Sequence, residues 1–329
     1  GVLIVKAVAT GVYMLRLVLV KIYAKRKYPE LDFHAEPKDS ALKQKNAALL
    51  HQVVGIIVNN TDTTVLTICL GTKSLLEVSV YGVYMMVVNA VNQLMTSFSN
   101  GLTAGFGEVI AKNEEETLKK SYSSYEYMYF VIMFIVIACM GVLILPFVGV
   151  YTVNLTDVQY VRPLLGLLFT LIVLMQNVRI PGLTIICAAG HYKETRYQAI
   201  LEAVINITVS LGLVWKLGMA GVLLGTVCSY GYRSFDIVFY TSRHLVKGCT
   251  KISLIRIVRN GIAVAFLCIV GTYVIPQNMA SFIIWFLYAI GMVAVSVFTI
   301  VGVNYVVEPD EFKELVLRVK GILGRKKED

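Results

Sequence analysis

Ionisable side chains lie inside apolar stretches of this sequence, where a membrane would not tolerate an exposed charge. Five of them are Asp62 and, in the apolar runs between residues 179 and 236, Arg179, Glu202, Arg233 and Asp236. An ionised group at the centre of a bilayer costs about 2.5–3.5 kcal/mol on insertion scales. This clustering therefore indicates a polar interior rather than a lipid-facing surface. We expect a multi-span carrier with a charged central cavity.

Arg179 is the first candidate for binding an anion. It precedes Pro181 and Gly182 within an apolar run, and this pair predicts a broken helix. Broken helices are tolerated in membranes where they line a cavity, so Arg179 would be a cation above an unwound segment. The alternative is an arginine whose long side chain reaches toward the cytoplasmic face.

Three further cations extend this prediction. Arg233 and Asp236 are three residues apart, so they share one face of a helix. They either neutralise each other or form a phosphate clamp in which Asp236 releases Arg233 when substrate arrives. Lys6 and Arg16, ten residues apart on the first apolar run, would add a cationic stripe that faces the interior.

The carboxylates are candidates for coupling transport to H⁺ or Na⁺. Asp62 follows a polar triplet at residues 59–61. It either binds the coupling ion or belongs to a cluster that hydrogen-bonds neighbouring helices. Glu202 and Asn206, one helical turn apart, form either a structural pair between helices or a second coupling site. Asp236 is the third coupling candidate.

No pattern predicts covalent catalysis or a resident cofactor. The four histidines are scattered, no Ser/His/Asp grouping or glycine-rich phosphate loop occurs, and none of the six cysteines has C-x-x-C spacing. We therefore expect no catalytic residue, no metal site and no cofactor beyond a coupling ion. We also expect no nucleic-acid partner.

The elements that must position these residues are long apolar helices. The chain has 329 residues, of which 57% are hydrophobic and 16% charged, and its mean hydropathy is +0.70. A soluble protein has about 25% charged residues, so this is an integral membrane protein. We predict an all-α, polytopic membrane helix bundle with nine spans of roughly 20 residues each. The predicted spans are residues 1–23, 47–71, 78–107, 127–151, 162–190, 199–214, 220–245, 255–275 and 281–307.

The positions of lysine and arginine support this count. With residues 24–45 in the cytoplasm, the segments on that side contain 22 of the 30 basic residues, and the outer turns contain 3. Such asymmetry is typical of the positive-inside rule and predicts a cytoplasmic C-terminus. The basic tail, residues 308–329, either lies on the anionic inner leaflet or is solvated.

Four stretches of the sequence contain motifs that resemble those of a known family. They are RIPGLTIICAAGHYKETRYQAILEAVINITVSLGLVWKLGMAGVLLGT (179–226), VNNTDTTVLTICLG (58–71), the run with Tyr81, Tyr84 and Asn89 that leads to LTAGFG, and RKYPEL (26–31). Together they resemble polysaccharide flippases of the Wzx type, which export O-antigen or capsule repeat units. These belong to the multidrug/oligosaccharidyl-lipid/polysaccharide exporter superfamily.

The resemblance implies a MATE-like fold with two six-helix lobes and a terminal helix pair. Residues 1–23 would be the last helix of the N-terminal lobe, and 24–45 a cytoplasmic lobe-connecting loop. Residues 46–245 would form the six-helix C-terminal lobe, 246–307 the terminal pair and 308–329 the cytoplasmic tail. The preceding helices of the N-terminal lobe are not in this sequence, so we expect an N-terminally incomplete chain.

The resemblance also implies a function: moving a polyprenyl-diphosphate-linked oligosaccharide across the bacterial inner membrane by alternating access. Arg16, Arg179, Arg233 and Lys6 would bind the diphosphate or sugar. Membrane lipid and a polysaccharide polymerase or glycosyltransferase complex are the expected partners. Two alternatives stay open. A MATE-type multidrug or cation antiporter would need an acidic cavity, and a membrane glycosyltransferase or polymerase would need a larger external loop.

Overall fold

The computed structural model describes residues 2–29, 44–100, 102–112, 114–277, 279 and 281–314. Helices account for 87% of it, and these residues contain no strand. The helices are α1 (Val2–Lys27), α2 (Lys45–Cys69), α3 (Ser74–Ser99), α4 (Leu102–Ala111), α5 (Glu115–Tyr151), α6 (Pro163–Val178), α7 (Ile180–Ala188), α8 (Arg196–Leu217), α9 (Met219–His244), α10 (Thr250–Val274) and α11 (Phe282–Val307). The predicted all-α membrane class is confirmed.

Two units divide the chain, residues 1–45 and residues 46–329. In the first unit the described helix is α1, whose side chains are almost all exposed. In the second unit, α5 is the central helix and packs against α3, α6, α10 and α11, while α8 packs against α9. The predicted lobe-connecting loop falls mainly on residues outside the described ranges, as does most of the predicted tail.

Within the part of the chain that the structure describes, seven segments are long and apolar enough to cross a membrane: α1, α3 with α4, α5, α6 with α7, α8, α10 and α11. The other two long helices, α2 and α9, carry Asp62, Arg233 and Asp236 together with many uncharged polar groups. The chain is thus a multi-pass helical bundle by composition and length. The count of nine spans stays a prediction.

Helix ends differ from the predicted loops. Between the third and fourth predicted spans the sequence predicts a charged loop at residues 108–125, but α4 continues to Ala111 and α5 begins at Glu115. Glu115 and Glu116 in the first turn of α5 suit the positive end of its dipole. Between the seventh and eighth spans the sequence predicts a basic cytoplasmic segment at residues 243–259, but α10 begins within it, at Thr250. A change from apolar to polar residues therefore did not predict where these helices begin and end, because α4, α5 and α10 extend beyond their apolar segments.

Candidate functional site

The break between α6 and α7 positions the first arginine. The predicted interruption is present but one residue wide: α6 ends one residue before Arg179, α7 begins one residue after it, and Arg179 itself has near-helical dihedral angles (φ −79°, ψ −16°). The structure thus has a helix break at Arg179 but not the unwound segment that the sequence suggested. Pro181 supplies no backbone N–H for a continuous helix. Gly182 allows α7 to contact α9 closely, because a Cβ at this position would lie 2.5 Å from Ile237 Cγ2. Arg179 is therefore held beside α9.

A tight helical hairpin positions the other charges. Gly218, with φ of +57°, forms the turn between α8 and α9. At Gly225 the two backbones nearly touch, since an added Cβ would lie 2.8 Å from Ser210 N and 3.0 Å from Asn206 O. Glycine is thus required for this close approach. The contact brings Glu202 on α8 within reach of Arg233 on α9.

Four predicted site residues form a chain of alternating charge, which we call the ionic chain: Arg179, Glu202, Arg233 and Asp236. Arg179 Nη1 donates to Glu202 Oε1 at 2.5 Å, and Arg233 Nε lies 3.6 Å from Glu202 Oε2. Arg233 Nη1 donates to Asp236 Oδ2 at 2.5 Å. The predicted Arg233–Asp236 pair is confirmed. Glu202 binds two arginines rather than Asn206, so the formal charges of the ionic chain cancel.

The ionic chain borders a cavity of about 320 Å³, the ionic pocket, which is also lined by His51, Asn59 and Tyr230. The Arg179 guanidinium lies 4.5 Å from the centre of the Tyr230 ring, a favourable cation–π distance. Tyr230 OH donates to Asn59 Oδ1 at 3.2 Å. Arg179 Nε is buried without a hydrogen-bond partner among the described residues. The arginines thus face a hollow, although carboxylates occupy part of their donor capacity.

Asp62 lies apart from the ionic chain. Its side chain is almost fully buried, and it accepts hydrogen bonds from Thr226 Oγ1 at 2.8 Å and Tyr81 OH at 3.3 Å. It has no ion pair with any residue that the structure describes. A buried carboxylate without a cationic partner is costly when ionised. That cost makes Asp62 the described carboxylate best suited to take up a cation or proton.

Lys6 and Arg16 lie on α1, in the other unit. Ten residues of a regular helix separate two side chains by about 80° around the axis. The two cations therefore share one side of α1 without lining up in the stripe that the sequence suggested. Their role in binding cargo stays a prediction.

A second ionic network was missed by the sequence. Arg256 on α10 is 2% exposed; its Nη1 lies 3.1 Å from Glu126 Oε2 and its Nη2 lies 2.7 Å from Glu308 Oε2. Burial raises the pKa of Glu308, but hydrogen bonds from Arg256 and Arg259 outweigh it, so this pKa falls below its ordinary value. These partners are far apart in sequence, and no spacing signal joins them. They connect α5, α10 and the segment after α11.

The sequence also gave no indication of Tyr230. The chain has 19 tyrosines, and a single tyrosine within an apolar run does not mark a cavity.

Among the described residues, no group of three or more His, Cys, Asp or Glu could hold a metal ion. The apolar bundle is compatible with a membrane transporter. A scan against protein-family models matches no family, and a search of curated proteins finds no match to this chain.

Proposed function

We propose that this chain belongs to a flippase that carries a polyprenyl-diphosphate-linked oligosaccharide across the bacterial inner membrane. The supporting observation is the ionic chain, which places two arginines on the wall of a cavity inside an apolar bundle. A bare diphosphate is too costly to bring into hydrocarbon. Guanidinium groups replace its hydration, while the prenyl chain stays in lipid.

The ionic chain supplies a mechanism for binding and release. Without cargo, each guanidinium is held by a carboxylate, so the empty carrier exposes no uncompensated charge. A diphosphate accepts paired hydrogen bonds from Arg179 and Arg233 and displaces Glu202 and Asp236. The released carboxylates and Asp62 are then the groups that bind a coupling H⁺ or Na⁺. Rocking of two lobes would expose the site to the other side.

The proposal includes the finer architecture. The chain would contribute nine spans to a MATE-like two-lobe fold with a cytoplasmic C-terminus. Lys6 and Arg16 would face the cargo path from the last helix of the N-terminal lobe. Membrane lipid and a polysaccharide polymerase or glycosyltransferase complex would be its partners. The protein would act as a carrier rather than an enzyme, with no resident cofactor.

Binding of inorganic pyrophosphate to the purified protein in lipid nanodiscs tests the site. A hydrogen bond to a charged group is worth about 1.5–3 kcal/mol, so Arg179→Gln and Arg233→Gln should each weaken binding about 10- to 100-fold. Arg162→Gln is the matched control, because Arg162 pairs with Glu77 at 2.8 and 2.9 Å and does not line the ionic pocket. Absence of pyrophosphate binding, or equal loss in all three variants, would contradict the proposal.

One observation favours a second candidate, a cation antiporter. Glu202 and the Tyr230 ring line the same pocket as the arginines, and the ionic chain has no net positive charge. A lipophilic cation such as tetraphenylphosphonium distinguishes the two functions. Binding of this cation to the ionic pocket without binding of pyrophosphate would replace the flippase by the antiporter.

A further inference from the structure

A second cavity adjoins the ionic pocket, and we call it the carboxamide chamber. It has a volume of about 460 Å³ and lies between α2, α3, α6 and α9. Sites for small molecules typically measure about 300–1,000 Å³. Asn59 and Tyr230 line both cavities. A ligand with two chemically different parts could therefore occupy both at once.

The chamber wall contains side-chain amides that have unused hydrogen-bond donors. Asn59, Asn89, Asn92 and Gln176 contribute to it from three helices. Asn89 and Asn59 are exposed to solvent, and Asn89 makes no side-chain hydrogen bond to any described residue. Asn59 and Gln176 each use only the oxygen, which accepts from Tyr230 OH and from Asn92 Nδ2 respectively. Each side-chain amide thus retains a donor.

A line of hydrogen bonds holds these amides in place. Tyr129 OH donates to Asn177 Oδ1 at 2.9 Å, and Asn177 Nδ2 donates to Asn92 Oδ1 at 3.1 Å. Asn92 Nδ2 then donates to Gln176 Oε1 at 2.9 Å. Asn177 is 3% exposed and also donates to Val173 O. The buried end of the line fixes the orientation of Asn92 and Gln176, which reduces the ordering needed on binding.

Aromatic rings form another part of the wall. Tyr81 and Phe169 line the chamber, with ring centres 5.5 Å apart. Phe169 stacks on Tyr84 at 5.0 Å, which keeps its ring in a fixed orientation. Both rings are buried, with Phe169 at 0% and Tyr81 at 6% exposure. They therefore give the wall a rigid apolar surface beside the amides, not an open face for stacking.

The charges of the chamber exclude an anionic ligand. No lysine, arginine or histidine lines it among the described residues. Its one carboxylate, Asp62, already accepts hydrogen bonds from Thr226 and Tyr81. An anion in this chamber would meet amide donors but no cationic partner, and it would lie near the Asp62 carboxylate, which repels it. The amides therefore suit an uncharged ligand, while Asp62 is the group that the proposed function assigns to the coupling H⁺ or Na⁺.

We propose that the carboxamide chamber binds the uncharged, hydroxyl-rich part of the cargo, a neutral glycan. This rests on the proposed function, in which the charged part of the same cargo occupies the ionic pocket. The glycan exchanges hydrogen bonds with the side-chain amides of Asn59, Asn89 and Gln176. The Tyr230–Asn59 hydrogen bond marks the boundary between the two compartments.

Saturation-transfer NMR on the whole protein in lipid nanodiscs tests the chamber without sugar-headed detergents as competitors. The probes are two uncharged disaccharides, chitobiose and lactose, with inorganic pyrophosphate measured in parallel. Asn89→Leu and Gln176→Leu should each weaken binding of the disaccharide about tenfold, which corresponds to one to two lost hydrogen bonds. Binding of pyrophosphate should stay within twofold of the parent.

Asn60→Leu and Gln93→Leu are the matched controls, because each lies one residue from a lining position and lines neither cavity. The chamber assignment is overturned if neither disaccharide binds the parent. It is equally overturned if the chamber variants bind disaccharide like the controls or lose pyrophosphate in parallel. If the chamber variants weaken disaccharide binding while the parent does not bind pyrophosphate, the chamber assignment is supported and the proposed diphosphate binding is contradicted.

Discussion

Replacement of Glu202 by glutamine breaks the ionic chain at its centre. Of the carboxylates in the described ranges, Glu202 alone contacts both arginines, at 2.5 Å to Arg179 and 3.6 Å to Arg233. Glutamine keeps the shape and one acceptor oxygen but removes the charge. Arg233 would retain Asp236 as a partner, whereas Arg179 would lose its ion pair. The substitution should therefore lower stability and raise affinity for an anion.

The size of both effects follows from burial. The side chains of Glu202 and Arg179 are 9% and 15% exposed, and removing one partner of a buried pair costs about 3–5 kcal/mol. We expect about 3 kcal/mol, because Arg179 keeps some solvent contact and the face of Tyr230. The carboxylate no longer competes for the guanidinium groups. If a bound pyrophosphate restores about half of the 3 kcal/mol that Arg179 loses with its ion pair, pyrophosphate binding becomes about tenfold stronger.

Two measurements on the same preparation check this prediction. The fluorescence of the two tryptophans reports denaturant unfolding, and calorimetry reports pyrophosphate affinity. Glu77→Gln is the control: it breaks the more exposed pair with Arg162, and it should cost about 0–1 kcal/mol and leave affinity unchanged. Weaker pyrophosphate binding in Glu202→Gln would refute the displacement of carboxylates by cargo.

Three further predictions concern coupling, packing and pH. Asp62→Asn should fold, since asparagine can still accept from Thr226, but its transport should no longer respond to collapse of the ion gradient. An equal response in parent and variant would remove Asp62 as the coupling group. Gly225→Ala should lose about 1–3 kcal/mol of unfolding free energy through overpacking, whereas Gly231→Ala, with no atom within 4 Å of the added Cβ, should behave like the parent. Ionised Glu308 stabilises the folded state because its folded pKa lies below the ordinary value of 4.5. Its contribution is complete above that pH and is lost as pH falls through the folded pKa. The difference in unfolding midpoint between parent and Glu308→Gln should thus shrink on acidification, and a difference independent of pH would contradict this.

Local sequence was most informative where a residue type has one dominant physical consequence. Proline at residue 181 predicted the interruption beside Arg179, since its ring removes a backbone donor. Arg233 and Asp236 predicted their own ion pair, because three residues place them on one helical face. Glu202 lacked such a signal: its partners are 23 and 31 positions away in sequence, and a nearer polar residue, Asn206, looked equally suitable.

The sequence by itself determined that this is a helical membrane protein with charges in its interior. Long apolar runs must satisfy their backbone within helices, and ionised groups inside such runs must avoid lipid. Only the tertiary structure decided which charges meet across helices. Glycine at residue 225 lets α8 and α9 approach closely, and the helix break turns Arg179 toward Glu202. The pairs between helices and the adjoining carboxamide chamber depend on distances between helices, which no pattern along one helix encodes.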